Sequence, residues 1–535
     1  MLIKVGRFLR CLVLALLPVA VLAVGVELAL MALDVGEPGQ RLNMSRGFDR
    51  SARYLVPDSE TPGGWHTQMF EVEHLEITVP PKSDRRRLVM VGGSNTQGFP
   101  SNALAQKLDA ADPDHTWEVV NLGRSGYGSE RVSILLDQAI DLEPDVVLVY
   151  TGHNEFMEVG FRKSLAAQGA LSTFGRAAQG LGDHLRVMNV LMDAFEPELT
   201  DRSVDRRPEL RQKRAKTFDY LTYTETRTFY EAYASNLQKI AETVLDAGVG
   251  LVLCTLASNE FVGPYTPKRL VNEGATLEES KQFKKLLKAA GKAIPARFRL
   301  GLLDRADPNE LRRITLSQPD WGITLRPEEI EARLASPPAA GRTVPTLRRL
   351  GGPLGKLPET NDPKATSIAG AHWPDPSLWM NKVFDLLETM EALHEREPTS
   401  KELAALRRAD SLFGQALEIA PDAPRALFGR GLCAYVLGED ARARKLFTEA
   451  VRYDRAPHRA TGPINNTVRE LADTLSVDGV TFVDVEALFR ARSPSGLVGY
   501  EIMTDVCHIQ PGARLPLMDD FVPAILSAAY RTNGR

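Results

Sequence analysis

The sequence predicts an α/β protein, about five parallel strands in a three-layer α/β/α arrangement broken by an inserted α-helical segment. Three observations carry this. Short apolar runs, each closing on a glycine- or asparagine-rich turn, alternate with helical spacing over 85–261 and again over 458–535. Such runs suit a parallel sheet buried on both faces. About 220 residues separate the fourth run from the fifth, far more than a loop needs. Part of that insertion repeats with a 34-residue period.

The amino terminus comes first. Lys4, Arg7 and Arg10 lie in a basic start (1–10), followed by an anchor segment (11–33). Within it Leu12 to Leu33 is a 22-residue apolar run in which Glu27 is the only charge. At ~1.5 Å per residue such a helix reaches roughly 33 Å, enough for the ~30 Å hydrocarbon core. A basic start stays in the cytoplasm, so the body is expected outside it, at the inner membrane with a periplasmic catalytic part. Val21-Leu22-Ala23 leaves open a cleaved signal peptide instead. Residues 34–84 are polar and read as a juxtamembrane spacer with one strand near Leu75–Val79.

The sheet then begins. Strands are expected at Arg87–Val91, Trp117–Asn121, Asp145–Tyr150, Leu251–Thr255 and Val480–Asp484, with helices near Asn102–Ala111, Glu130–Leu142 and Leu515–Ala529. The insertion 262–400 is partly helical, at Thr276–Ala290 and Ser377–Arg396, with a Pro/Gly-rich stretch between. In 401–457, Ala409, Phe413, Ala416 and Pro421 recur as Ala443, Phe447, Ala450 and Arg455. That resembles tetratricopeptide repeats, in which small residues admit a close helix and the aromatic fills the gap between pairs. About one and a half units are recognisable, so the segment needs a neighbour to pack on. A charge of -4, from 65 Lys+Arg against 69 Asp+Glu, lacks the basic surplus of a nucleic-acid binder. The basic run at 205–216 reads as a solvated face, with contact to anionic lipid as the alternative.

Four blocks carry chemistry. Gly92-Gly93-Ser94-Asn95 follows the first strand, where open α/β sheets place ligands. No Gly-Lys-Ser/Thr follows, which excludes a P-loop. Asn121-Leu-Gly123-Arg-Ser-Gly126 follows the second strand, and a glycine N–H there can face a developing oxyanion. Gly152-His153-Asn154-Glu155 follows the third, and the Asn154 amide can join that donor set. Asp505-Val-Cys507-His508 follows the fifth, offering a base and a carboxylate to steady it. His153 reads either as a substrate contact or as a supporting or surface residue. Cys507 is expected to point away from His508 if the D-x-x-H turn is regular, and the sequence leaves open whether Cys254 and Cys507 pair.

These blocks resemble the SGNH (GDSL-type) hydrolase superfamily, over about Arg85–Phe261 and Ala460–Ala529. The resemblance implies a flavodoxin-like sheet, Ser94 as nucleophile, His508 as base and Asp505 as its partner. It also implies an oxyanion hole of the Ser94 and Gly126 N–H groups and the Asn154 amide. TGHNEF, LASNE and YDRAPHRATGPINN are similar to a bacterial subgroup with membrane anchors and tetratricopeptide-like insertions. Gly93 departs from the usual Asp, Glu155 from the commoner Asp, and Ile509-Gln510 from the frequent Pro-Asn. The expected function is a serine esterase, with O-acyl transfer to or from envelope glycan, or a non-catalytic scaffold, as alternatives. Expected partners are an ester-bearing small molecule, lipid or glycan, the membrane through the anchor, and a protein bound by the repeat helices. No cofactor and no metal is implied.

Overall fold

The apolar runs become strands because valine and leucine pack equally well on both faces of a buried sheet. β1 (Arg86–Gly92), β2 (Trp117–Asn121), β3 (Val146–Tyr150), β4 (Gly250–Cys254) and β5 (Thr481–Val483) appear in the computed structural model. The structure describes residues 17–18, 21–36, 47–68, 77–167, 173–182, 184–195, 220–265, 276–295, 398–476, 479–493, 496–499, 502–503 and 506–532. The strands lie in the order β2-β1-β3-β4-β5, all parallel. Every residue of β1, β3 and β4 is buried, whereas the edge strands β2 and β5 are partly open.

Helices flank the sheet, so the protein is α/β, consistent with three layers. They are α1 (Ser94–Gln97), α2 (Ser101–Ala111), α3 (Ser129–Ala139), α4 (Glu155–Ala167) and α5 (Tyr223–Asp246). The helices α6 (Leu277–Ala293), α7 (Ser400–Ile419), α8 (Pro424–Leu437) and α9 (Asp440–Arg452) form the insertion. Beyond it come α10 (Gly462–Thr474), α11 (Val485–Arg492) and α12 (Pro511–Thr532). α2 packs with α12, which covers β4 and β5, while α5 packs with both α3 and α10. Leu135 and Leu136 are buried on α3, and the helical spacing expected to Leu142 tightens into a 3₁₀ turn over Ile140–Leu142. Glu143, left-handed at φ 54°, ends it.

The insertion helices pack in sequence, α6 on α7, α7 on α8 and α8 on α9, around one apolar core. Thr276 and Thr399 open α6 and α7 with capping boxes, each paired with a glutamate three residues on. Ala409, Phe413, Ala416, Ala443, Phe447 and Ala450, the repeating positions, are all buried in that core. The rings of Phe413 and Phe447 lie on Gly429 and Gly431 of α8; an added Cβ would collide with the first ring and press tightly on the second. The expected helix Ser377–Arg396, the Pro/Gly-rich stretch and the basic run 205–216 lie outside the described residues.

The chain divides into two compact units. The sheet and the insertion belong to the second. The first holds Met1–Asp58, His66–Thr78 and Gly160–Thr217. In it residues 21–32 are helical, with Leu22, Val24, Leu28 and Met31 exposed. The Glu27 carboxylate accepts the backbone N–H groups of Arg186 and Val187, at 2.7 and 3.0 Å. These residues open the helix Arg186–Phe195. Among the described residues no helix is long and apolar enough to cross a membrane. Residues 1–16, 19 and 20 of the expected start and anchor lie outside them, as do 75 and 76 of the expected spacer strand, which is seen at Thr78–Val79.

Candidate active site

Strand order positions the site. In a sheet ordered 2-1-3-4-5 the connections after β1 and β3 leave in opposite directions and open a crevice at their carboxyl ends. Ser94 opens α1 directly beyond β1 and is half-buried, so its hydroxyl is reachable. Ser94 Oγ lies 2.8 Å from His508 Nε2, although 414 residues separate the two in sequence. A hydroxyl and an imidazole at that distance form the hydrogen bond through which a base activates a serine.

Gly126 ends the turn after β2 at φ 76°, a left-handed conformation that glycine adopts without strain. Asn154 follows β3 and is 7% exposed. Its Nδ2 donates to the Tyr127 carbonyl at 3.0 Å and lies against Gly93. The turns carrying Gly93-Ser94, Gly126-Tyr127 and Asn154 therefore meet, and Ser94, Gly126, Asn154 and His508 gather at one edge of the sheet. Asp505, the expected partner of His508, lies outside the described residues.

The His508 loop is held at several points. Met503 and Ile509 form an antiparallel bridge, and Gln510 N donates to the Ile502 carbonyl at 2.7 Å. Asn259 N donates to the Val506 carbonyl at 3.0 Å. Asn95, beside Ser94, donates from Nδ2 to the Cys507 carbonyl at 2.6 Å and accepts the Ile509 N–H at 3.0 Å. Cys507 corrects an expectation. Its Sγ does not point away but lies 3.8 Å from His508 Nδ1, because this turn brings the two neighbouring side chains to one side. Ser94 faces the other ring nitrogen, Nε2. Cys254, Cys433 and Cys507 are free thiols, so Cys254 and Cys507 are not paired.

Behind the turns at Gly126 and Asn154 lies a buried polar layer. Glu155 Oε1 accepts the Ser129 N–H at 2.8 Å, and Oε2 accepts its hydroxyl at 2.7 Å. Glu158 Oε1 accepts Arg131 N at 3.1 Å and Nε at 3.0 Å. Arg131 Nη2 donates to the Gly126 carbonyl at 2.5 Å, and its guanidinium stacks on Tyr127. Two carboxylates from the first turn of α4 thus cap the amino end of α3, where the helix dipole favours negative charge. Burial raises the pKa of both carboxyls, and Glu158 adds to the rise at Glu155. Arg131 opposes the rise at Glu158. With one cation between them, Glu155 is the member that keeps its proton.

Other singled-out residues support the frame. His153 Nδ1 accepts the Ala460 N–H at 3.0 Å and the ring is buried, the supporting role of its two readings. Within LASNE and YDRAPHRATGPINN, Asn465 pairs with both backbone groups of Leu256, and Arg459 donates to the carbonyls of Asn259, Val262 and Gly263. These two motifs fasten the turn after β4 to α10. Asn95, Arg131 and Glu158 were not legible as site residues, since each acts through a partner distant in sequence. Only the position of Asn95 beside Ser94 marked it.

Comparison with protein-family models, curated proteins and solved structures finds no match for the chain. The reading of the site therefore rests on its own geometry and on the residue blocks quoted above.

Proposed function

We propose that the chain is an SGNH-type serine hydrolase that cleaves acyl esters outside the cytoplasm. The observation that carries this is the Ser94–His508 contact at the carboxyl edge of the sheet. With Nδ1 protonated, His508 Nε2 accepts the Ser94 proton as Oγ attacks the ester carbonyl. The tetrahedral oxyanion accepts hydrogen bonds from the Ser94 and Gly126 N–H groups and from the Asn154 amide. His508 then protonates the departing alcohol, leaving an acyl group on Ser94. Water, activated by the same imidazole, releases the acid. Asp505 is assigned the orienting carboxylate.

The exposed apolar helix over 21–32 supports reading 11–33 as a membrane anchor. Its one carboxylate, Glu27, has its charge met by helix N–H groups. The Phe413–Gly429 and Phe447–Gly431 contacts support reading α7–α9 as tetratricopeptide-like helices.

A fluorophosphonate probe tests the hydrolase reading, because it reacts with an activated serine whatever the natural substrate. The intact protein should label at Ser94, and both Ser94→Ala and His508→Ala should lose labelling. An unlabelled, folded wild-type protein would reject the reading.

A further inference from the structure

We propose that Asn95 is a positioning residue that holds the His508 imidazole against Ser94, an inference that rests on the hydrolase reading above. Asn95 is 3% exposed and follows Ser94 in the first turn of α1. Both ends of its amide are committed to the backbone on either side of His508. Nδ2 donates to the carbonyl of Cys507 at 2.6 Å, and Oδ1 accepts the N–H of Ile509 at 3.0 Å. The amide fits in one orientation only, because reversing it would set oxygen against the Cys507 carbonyl and NH₂ against the Ile509 N–H.

The consequence is geometric. Residue 508 lies between the two bonded peptide groups, so its backbone is fixed to α1, and Ser94 is the residue before Asn95 on that helix. Nucleophile and base therefore share one local frame, although the chain between them holds four strands and the whole insertion. His508 stands on a loop, not on a strand or helix, and a loop of this kind drifts unless it is tied. A misplacement of about 1 Å between reacting groups costs on the order of 100-fold in rate. The Ile509 N–H is part of the device, and an imino acid at 509 would have no hydrogen to give.

A plain stabilising role for Asn95 is separated from positioning by a double-mutant cycle on the full-length protein. Turnover of a short aryl ester, down to the residual rate, is measured for wild type, Asn95→Ala, His508→Ala and the double variant, with melting temperature on each preparation, and the fluorophosphonate labelling rate for wild type and Asn95→Ala. Asn95→Ala should lower kcat and labelling by about 10- to 100-fold with little change in KM. In the His508→Ala background the same change should cost less than about twofold, since the group being positioned is gone. Asn95→Asp keeps the acceptor for Ile509 and loses the donor to Cys507. It should fall between wild type and Asn95→Ala, and it serves where the alanine variant does not fold. An equal loss in both backgrounds, or wild-type rates in a folded Asn95→Ala protein, would overturn the proposal while leaving Ser94 as nucleophile. Undiminished labelling of Ser94→Ala would instead overturn the hydrolase reading.

Discussion

Gly93 and Asn154 occupy each other's space: a Cβ built on Gly93 would lie 2.5 Å from the Asn154 amide nitrogen. The glycine's own backbone, φ -86° and ψ -155°, suits any residue. Its requirement is therefore room, not conformational freedom. The amide of Asn154 comes up against the Gly93 backbone in that room.

Gly93→Ala follows from that contact. The added methyl must push the Asn154 side chain away from Ser94, because the backbone around it is the end of a buried strand. Turnover should fall by about 100- to 1000-fold, comparable to losing one oxyanion donor. The melting temperature should change little. Measuring both on one preparation checks it, and normal turnover in the folded variant would remove Asn154 from the donor set.

Asn154→Ala tests the same donor from the other side. If the amide acts when charge develops on the carbonyl oxygen, kcat should fall by about 2.7–4 kcal/mol in barrier terms with KM near unchanged. Loss of the bond to Tyr127 alone would show as a lower melting temperature with turnover retained. Steady-state kinetics beside thermal unfolding decides between these.

These contacts show where sequence reading reached and where it stopped. β1, β3 and β4 were legible because a strand buried on both faces has to be apolar throughout, and the turns beyond them because glycine and asparagine mark sharp bends. Ser94, Gly126 and Asn154 stood out as candidates through position, each in the turn after a strand of one parallel sheet, and His508 through its place beyond β5 and α11. The side of the turn on which Cys507 falls was not legible, since it depends on how the loop at 502–510 folds back on itself. Nor was the Arg131–Glu158 pair. A guanidinium on α3 looks like any surface charge until α4 covers it. The Asn95 amide gains its meaning only from a backbone 412 residues away.

Glu155 makes stability depend on pH. Burial and the neighbouring Glu158 raise its pKa above the ordinary 4.5, so the folded state holds a proton that the unfolded chain has released. Its stabilising contribution is full below about 4.5 and is lost as pH rises through the raised folded value. Glu155→Gln removes the charge, and its amide oxygen keeps the bond from Ser129 N. Melting temperature should match wild type near pH 5 and exceed it by on the order of a few °C near pH 9. A wild-type curve as flat as that of the variant would show that Glu155 is ionised throughout.

Arg131 is fully buried, and its charge is met by Glu158 and by the Gly126 carbonyl. Arg131→Met keeps much of the length but leaves a buried carboxylate without its cation, which costs about 3–5 kcal/mol. Adding Glu158→Gln should return part of that loss, because the uncompensated charge is then gone. Chemical denaturation of the two single variants and the double variant measures the coupling. Additive losses would mean that the pair does not act as a unit.

The helical insertion can be loosened without touching the site. Gly429 on α8 admits the Phe413 ring, whose atoms would lie 2.5 Å or so from an added Cβ. Gly429→Ala overfills that contact and should destabilise the array by about 1–3 kcal/mol. Phe413 belongs to the core shared by α6–α9, and Ser94 and His508 are held by β1 and the 502–510 loop. Hydrogen exchange should therefore quicken across 400–452 while fluorophosphonate labelling of Ser94 keeps its wild-type rate. Parallel loss of labelling and protection would show instead that the insertion and the catalytic edge unfold as one body, and that the repeat helices help to build the site.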